Sequence, residues 1–220
     1  MPVRSKGPHT MTPETPMGIA EILGLAASVS LLSGWRLYLT ALATGLAMNF
    51  GLLPLPEHLQ ALQVLGNPWV MGVAGAAAFC EFFADKILWL DSVWDSVHTL
   101  IRPLGGALLA LAVIDPADPA TQAIAFILGG SGALLAHGGK AGTRAMVNMS
   151  PEPVSNMAVS AGEDVLTAGL LFLAYQYPLA AGAIALVLLA TAIAMLVIAR
   201  NVIRKVFRRS SAENPDAQHP

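Results

Sequence analysis

The chain has 220 residues, of which 55% are hydrophobic and only 12% are charged, and its mean hydropathy is +0.62. This composition excludes an ordinary soluble globular domain and predicts an all-α, polytopic membrane helix bundle. The formal net charge is −2, yet five basic residues cluster at positions 200–209, directly after an apolar run. Such a run beside a span favours the lipid bilayer as its partner and argues against nucleic acid.

Three regions follow from the distribution of polar residues. Residues 1–17 contain four prolines and no apolar run, which predicts a disordered cytoplasmic tail. Residues 18–207 are predicted to form a single membrane domain, and residues 208–220 a polar, basic cytoplasmic tail. The predicted helices of the membrane domain lie at about 19–50, 69–90, 92–114, 120–148, 155–175 and 179–207. The last is the clearest span, because about 20 apolar residues cross the hydrocarbon.

The first and fourth predicted helices are longer than a single crossing requires. We expect the first to break at Ser33-Gly34-Trp35-Arg36, because glycine weakens a helix and an arginine in mid-membrane must face protein or water. The fourth contains Gly129-Gly130, Gly132 and Gly138-Gly139, which predict interruptions there. The bundle is therefore expected to contain broken helices.

An even number of crossings places both termini on one side of the membrane, and the basic residues indicate which side. The three loops opposite the termini, at 51–68, 115–119 and 176–178, contain no Lys or Arg. The basic residues inside or towards the side of the termini are Lys86, Arg102, Lys140, Arg144 and those of the C-terminal tail. The positive-inside rule therefore predicts that both termini are cytoplasmic.

An acidic stripe runs through residues 81–102, around the junction of the second and third predicted helices. Glu81 and Asp85 are four residues apart and share a helix face. Four more polar residues, at offsets 0, 4, 7 and 11, also share one face. They are Asp91, Asp95, His98 and Arg102.

The acidic stripe has two interpretations. A carboxylate-lined site for a cation, a proton or a positively charged substrate explains why costly charges lie within spans. A solvated cytoplasmic loop is the alternative, and it applies best to residues 86–91. The first interpretation is favoured for Glu81, Asp85, Asp95 and His98.

The fourth predicted helix carries a basic stripe of His137, Lys140 and Arg144 on one face. These side chains either form structural ion pairs with the acidic stripe or, with the amides of Gly138-Gly139, bind an anion or phosphate.

The fifth predicted helix adds a third polar stripe. Asn156, Ser160, Glu163 and Thr167 repeat the offsets of the acidic stripe, and Asp164 lies beside them. Asn156 is equally well explained as a helix N-cap.

Residues 19–114 and 120–207 each contain a long broken helix, a helix with acidic residues and a more apolar helix. This order predicts a three-plus-three inverted repeat of the kind found in transporters, whose sites lie at the repeat interface on interrupted helices.

An enzyme is the main alternative to a transporter. The paired acids Glu81/Asp85 and Asp91/Asp95 resemble the spacing that holds Mg²⁺ and a diphosphate in membrane lipid-phosphate transferases, so a divalent cation at these four residues is the one cofactor considered. The glycine and arginine parts of the alcohol phosphotransferase signature are absent from the sequence, and no GxSxG, HExxH, Walker A or CxxC motif occurs. The sequence therefore favours a protein that is not an enzyme.

Four motifs together resemble a known family. They are Glu81-x3-Asp85-Lys86, Asp91-x3-Asp95-x2-His98-Thr99-x2-Arg102-Pro103-x-Gly105, His137-Gly-Gly-Lys140-x2-Thr143-Arg144, and Pro151-Glu-Pro-x-Ser155-Asn156 followed by Glu163-Asp164. The resemblance is to an uncharacterised family of small bacterial multi-pass integral membrane proteins, known only as a domain of unknown function, and it covers about residues 19–207. It implies a multi-pass protein of the bacterial inner (plasma) membrane with no assigned activity.

Taken together, these patterns predict a small secondary transporter or channel-like protein with a charged intramembrane site for a cation- or proton-coupled small solute. The acids and His98 would bind or relay cations, while Lys140, Arg144 and Arg36 would act as counter-ions or contact an anionic group. Six short spans enclose little volume, which favours a homo-oligomer. The alternatives are a Mg²⁺-dependent lipid-phosphate transferase and a non-catalytic membrane assembly or lipid-binding protein.

Overall fold

The computed structural model describes residues 18–50, 63–114, 119–147 and 153–213. Within these ranges the chain forms six α-helices and no strand. They are α1 (Ile19–Asn49), α2 (Pro68–Ala84), α3 (Leu88–Val113), α4 (Pro119–Val147), α5 (Pro153–Gln176) and α6 (Pro178–Glu213). The predicted all-helical bundle is confirmed. The predicted tail at residues 1–17 and the chain from residue 214 lie outside the described residues.

Five helices are long and apolar enough to cross a membrane: α1, α4 and the greater parts of α3, α5 and α6. α2 has 17 residues, which at about 1.5 Å per residue is near the lower limit for a crossing. Large apolar side chains such as Trp69, Leu100 and Phe172 point outwards. An apolar outer surface around helices of this length is expected for a bundle in lipid. The chain is therefore a polytopic helical membrane protein.

The helix boundaries differ from the predicted ones around the acidic stripe. α2 begins where the Asn67 side chain accepts a hydrogen bond from the Trp69 amide, with Pro68 in the first turn. It ends at Ala84, so residues 85–87 form a tight connection to α3 instead of continuing the helix to residue 90. At the other end of the chain, α6 continues past the predicted end at residue 207 to Glu213.

α4 runs from Pro119 to Val147 as one helix, so the predicted interruptions at its glycines are not observed. The glycines allow neighbouring helices to approach instead. A Cβ atom added at Gly129 would lie 2.5 Å from the Cβ of Ala110 in α3, and one added at Gly139 would lie 2.6 Å from the Cβ of Ala192 in α6. Small residues at helix crossings permit such close packing in membranes.

α1 breaks at Arg36, as predicted, where φ is −142° and ψ is 73°. These angles lie outside the helical region, so the helical hydrogen bonding is disturbed at this residue. Gly34, just before the break, packs directly on α4, because a Cβ atom there would overlap the carbonyl oxygen of Ala133. The broken segment is therefore held against a continuous helix.

The contacts of α1 show that the chain reverses direction at the break. Before it, Gly24 packs against the first turn of α6, which begins directly after α5 ends. At the break, Arg36 donates hydrogen bonds to Ser160 near the beginning of α5. After it, the Thr44 hydroxyl bonds to the Tyr175 hydroxyl at the end of α5. Both ends of α1 thus lie near the junction of α5 and α6, whereas the break lies near the beginning of α5, so the two halves of α1 run in opposite directions.

This reversal determines where the beginning of α1 and the end of α6 lie relative to each other. α1 begins beside the start of α6, whereas the later part of α6 packs on the last turns of α4, with Ala199 beside Gly142. The start of α1 and the end of α6 are therefore at opposite ends of the bundle. The prediction that both termini are cytoplasmic assumed that α1 crosses once; the termini lie outside the described residues, so their side of the membrane stays a prediction.

α1 is the central element of the bundle and packs against each of the other five helices. Its first half contacts α3, α4 and α6 through Ser30, Gly34 and Gly24. In this half, Leu25 and Val29 join a core cluster with Val113 of α3 and Ala174 of α5. α4, by contrast, packs mainly against α1, α3 and α6. The two halves of the chain are thus packed differently, and the inverted repeat of residues 19–114 and 120–207 stays a prediction.

Candidate functional site

A buried ionic network lies where the break in α1, the α2–α3 connection, the start of α3, the last turns of α4 and the first half of α5 meet. It contains every predicted site residue whose side chain is described except His98, which lies beside it. The residues of the network are Arg36, Glu81, Asp85, Asp91, Asp95, Arg102, His137, Lys140, Arg144, Glu163 and Asp164. Asn156 lies in α5, and its side chain is outside the described part of the structure. The network thus joins stripes that are far apart in sequence.

Asp85 lies at the centre of the first part of the network and is completely buried. It pairs with Arg36, with Lys140 at 2.8 Å and with Arg144 at 3.4 Å. Arg144 also donates to the backbone carbonyl of Asp85 at 2.7 Å, which fixes the connection after α2. Burial alone would raise the pKa of Asp85, but the charges of Lys140, Arg36 and Arg144 outweigh it and hold the pKa below its ordinary value.

α5 closes this part of the network with two adjacent acids. Asp164 pairs with Arg36 at 3.0 Å, and Glu163 pairs with Arg144 at 3.0 Å. Lys140 also approaches the carbonyl oxygen of Trp35 at 3.4 Å. A backbone carbonyl at the end of the first half of α1 therefore lies close to a charged hydrogen-bond donor.

Lys86 lies at the edge of the network, in the α2–α3 connection. Its ammonium group is 3.8 Å from Asp164, donates to the Phe82 carbonyl and lies over the Phe82 ring. Burial lowers the pKa of Lys86, and the nearby Asp164 carboxylate only partly opposes this effect.

Arg102 organises the second part of the network from a fully buried position on α3. Its guanidinium pairs with Glu81 at 2.7 Å and with Asp95 at 2.9 Å. It also lies 2.7 Å from Nδ1 of His137, and because a guanidinium can only donate, that nitrogen must accept. His137 is then a neutral imidazole whose Nε2–H donates to the Thr99 hydroxyl at 3.2 Å.

His98 shares the helix face of the acidic stripe, but its hydrogen bonds lead elsewhere. Nδ1 donates to the Trp94 carbonyl at 2.7 Å, so in the neutral imidazole Nε2 accepts from the Tyr38 hydroxyl at 2.9 Å. The imidazole also stacks on the Trp94 ring, with centroids 4.3 Å apart. Sequence reasoning missed Tyr38, and the signal available for it was its position two residues after the break in α1.

A cavity of about 210 Å³ opens between α3 and α4 on the side of the network. Its ionisable lining consists of Asp91, Asp95, His137 and Arg144, and α3 adds serine and threonine hydroxyls. Asp91 is only 1% exposed, which rules out the solvated-loop interpretation for this residue. The charged stripes therefore both pair with each other and line a cavity.

Three of the four acids considered for a divalent cation come close together. Asp85, Asp91 and Asp95 could each offer an oxygen within 4.8 Å of the others. Glu81 is separate, paired with Arg102, and Asp85 already has three cationic side chains around it. A cation site made of all four acids stays a prediction.

The backbone amides expected to take part in an anion site on α4 are not available for binding. Gly138 and Gly139 lie inside a continuous helix, so their amides belong to the helical hydrogen bonding and are not free loop donors. Lys140 and Arg144 instead meet the carboxylates described above.

The fold and the site together define a polytopic helical membrane protein with a buried ionic network, part of which lines a cavity. The chain belongs to the family described as Domain of unknown function (DUF4126), which matches residues 23–197. No curated protein and no solved structure matches the chain. The resemblance to an uncharacterised family is confirmed, and the matched range includes the whole network.

Proposed function

We propose that the protein is a small secondary transporter or channel-like protein in which a proton or a monovalent cation binds at Asp91 and Asp95 and is coupled to the movement of a small solute. The observation that carries this proposal is the cavity between α3 and α4, which gives access to two buried carboxylates. Buried ionisable groups are costly in a membrane protein, and they typically mark ion or substrate pathways.

The charges of the network support a positively charged occupant. Among the described residues, its basic members are Arg36, Lys86, Arg102, Lys140 and Arg144, and its acidic members are Glu81, Asp85, Asp91, Asp95, Glu163 and Asp164. The acids exceed the bases by one, and His137 is neutral. Because uncompensated charge is costly in a low-dielectric interior, one further positive charge would balance the network.

The cavity is the place where that charge fits. Arg144 is the one basic side chain that pairs with Asp91 in the described part of the chain, at 3.3 Å, and it is shared with Asp85 and Glu163. Asp95 likewise shares Arg102 with Glu81. Each of the two carboxylates that line the cavity therefore shares its basic partner with other acids of the network.

We further propose an orientation in the inner (plasma) membrane. The end of the bundle where α6 finishes carries Arg200, Arg204 and Lys205, so the positive-inside rule favours a cytoplasmic position for this end. The beginning of α1 then faces the opposite side. A homo-oligomer in the bilayer stays a prediction.

Flux measurements in proteoliposomes test the proposed function. Purified protein is reconstituted with a pH-sensitive dye inside, and flux is followed under imposed proton, Na⁺ or K⁺ gradients. Asp91→Asn and Asp95→Asn are expected to abolish cation-dependent flux. Glu21→Gln is the matched control, because this acid lies in the first turn of α1, outside the network, and its substitution should leave flux unchanged. Wild-type flux in both aspartate variants would refute the proposal.

A Mg²⁺-dependent lipid-phosphate transferase is the second candidate, favoured by the close approach of Asp85, Asp91 and Asp95. It predicts that Mg²⁺ or Mn²⁺ raises the unfolding temperature of the wild type and has no effect on Asp91→Asn. A non-catalytic assembly or lipid-binding role predicts that the aspartate variants change stability alone. Transport predicts a loss of flux without any protection by divalent cations.

A further inference from the structure

Two buried threonines lie at the interface between the second half of α1, residues 37–49, and α5. The side chains of Thr40 and Thr167 are both completely inaccessible to solvent. Neither hydroxyl has a hydrogen-bond partner in the described part of the structure. Because a hydroxyl offers one donor and two acceptor positions, two such groups at one interface are an unusual and costly arrangement.

The break in α1 explains why Thr40 lacks the usual partner. A threonine in a helix commonly donates to the carbonyl four residues earlier, as Thr44, Thr99 and Thr143 do here. For Thr40 that carbonyl belongs to Arg36, the residue whose backbone leaves the helical conformation. The reversal of the chain therefore leaves this hydroxyl free.

Both threonines lie between the same two contacts of α1 with α5. On one side are the hydrogen bonds from Arg36 to the carbonyl and hydroxyl of Ser160, at 3.2 and 3.1 Å. On the other side is the 2.8 Å hydrogen bond between the hydroxyls of Thr44 and Tyr175. Thr40 lies between Arg36 and Thr44 along α1, and Thr167 lies between Ser160 and Tyr175 along α5. The threonines thus continue the polar groups beyond the network, towards the end where α5 finishes.

We propose that Thr40 and Thr167 bind water and that this hydrated layer is the solute path beyond the ionic network, closed in the present conformation by the Thr44–Tyr175 hydrogen bond. Buried water commonly satisfies polar groups that have no protein partner. The path would connect the α3–α4 cavity, through the network, to the end of the bundle where α1 begins. Its role as a path rests on the proposed transport function, whereas the presence of water does not.

Cysteine accessibility tests the proposal directly. In a Cys80→Ala background, needed because Cys80 is exposed, Thr40→Cys and Thr167→Cys are reconstituted and treated with a membrane-impermeant methanethiosulfonate that carries a quaternary ammonium group. Val29→Cys is the matched control, because Val29 is equally buried but lies in the apolar core. We expect both threonine positions to react at least tenfold faster than position 29. Equal, slow reaction at all three positions would overturn the proposal.

The Thr44–Tyr175 contact provides a second readout. Tyr175→Phe, added to Thr167→Cys, should increase the modification rate severalfold, because it removes the hydroxyl that closes the interface. An unchanged rate would contradict closure by this pair. If the cysteine variants are not monodisperse after purification, hydrogen exchange in the wild type decides: amides 38–41 and 165–168 should exchange faster than amides 26–29, and equal protection would overturn the proposal.

The outcomes separate this inference from the proposed function. Reactive cysteines in a protein whose Asp91→Asn and Asp95→Asn variants keep full flux would leave the hydrated interface standing and refute transport through those acids. Unreactive cysteines in a protein whose flux depends on both aspartates would overturn the hydrated interface alone.

Flux in threonine variants tests the path itself. Thr40→Val and Thr167→Val should reduce flux severalfold, whereas Thr40→Ser and Thr167→Ser should retain it. Equal flux in all four would contradict the assignment of the path.

Discussion

Arg102 is the residue at which charge pairing and fold stability are most closely connected. It is fully buried and holds Glu81 and Asp95 from the interior of α3. Arg102→Met would leave two carboxylates without their counter-ion, and breaking a buried ion pair in this way costs about 3–5 kcal/mol. Thermal unfolding in detergent should show a large decrease in stability.

The control for Arg102 is an arginine with an exposed side chain. Arg204 is exposed near the end of α6, and Arg204→Met should change the unfolding temperature little, because exposed charges contribute about 0–1 kcal/mol. If both variants unfold at the wild-type temperature, the ion pairs of Arg102 do not stabilise the fold.

At the residue scale, the sequence predicted which charged side chains meet, but not which acid pairs with which base. Helical spacing placed Glu81 and Asp85 on one face, yet Glu81 pairs with Arg102 whereas Asp85 pairs with the basic groups around Arg36. The choice of partner depends on where α2 ends, at Ala84, and on the burial of the Arg36 side chain. Tertiary packing determines both. Tyr38 was missed because an uncharged hydroxyl in an apolar helix leaves no periodic signal.

Helix crossings give the sharpest prediction at the scale of elements. Gly34 packs so closely on α4 that a Cβ atom would overlap the carbonyl oxygen of Ala133, whereas Gly132 in α4 has open space around its Cα. Gly34→Ala must push α1 away from α4, and we expect a loss of about 1–3 kcal/mol, as for overpacked cores. Unfolding in detergent with increasing denaturant measures this loss.

Gly132→Ala is the matched control for the crossing. With no neighbour to displace, it should be neutral or stabilise the protein by up to about 1 kcal/mol, because alanine favours the helix more than glycine does. Similar stability of the two alanine variants would show that α1 and α4 are not in close contact at Gly34.

At the same scale, the sequence predicted the position of the break in α1 but not the reversal of the chain. Glycine and a mid-span arginine mark a weak point locally, and Arg36 is indeed non-helical. The direction taken afterwards depends on what each half contacts, namely α6 for Gly24 and the end of α5 for Thr44. The glycines of α4 show the reverse case, because close packing on α3 and α6 keeps that helix continuous.

For the whole molecule, the reversal predicts that the beginning of α1 and the end of α6 lie on opposite sides of the membrane. Ile19 and Arg204 are both exposed and suit single-cysteine labelling in a Cys80→Ala background. With an impermeant reagent, Arg204→Cys should be labelled in inside-out vesicles and Ile19→Cys in right-side-out vesicles. Labelling of both from the same side would contradict the reversal.

The all-helical membrane class could be predicted from composition and span length, because these features follow directly from the thickness of the bilayer. The cavity could not, because it depends on how α3 and α4 pack beside Asp91 and Asp95. The cavity gives a reason for the ionic network to retain one more acid than it has bases.

The most direct test of that claim compares stability and flux in Asp91→Asn, with Glu21→Gln as the control. If the carboxylate of Asp91 is retained to bind a cation, its replacement removes the excess negative charge of the network, while Arg144 keeps its pairs with Asp85 and Glu163. The unfolding temperature should then stay the same or rise, while cation-dependent flux disappears. A large drop in the unfolding temperature of Asp91→Asn together with undiminished flux per folded protein would contradict the account and show that Asp91 serves the structure alone.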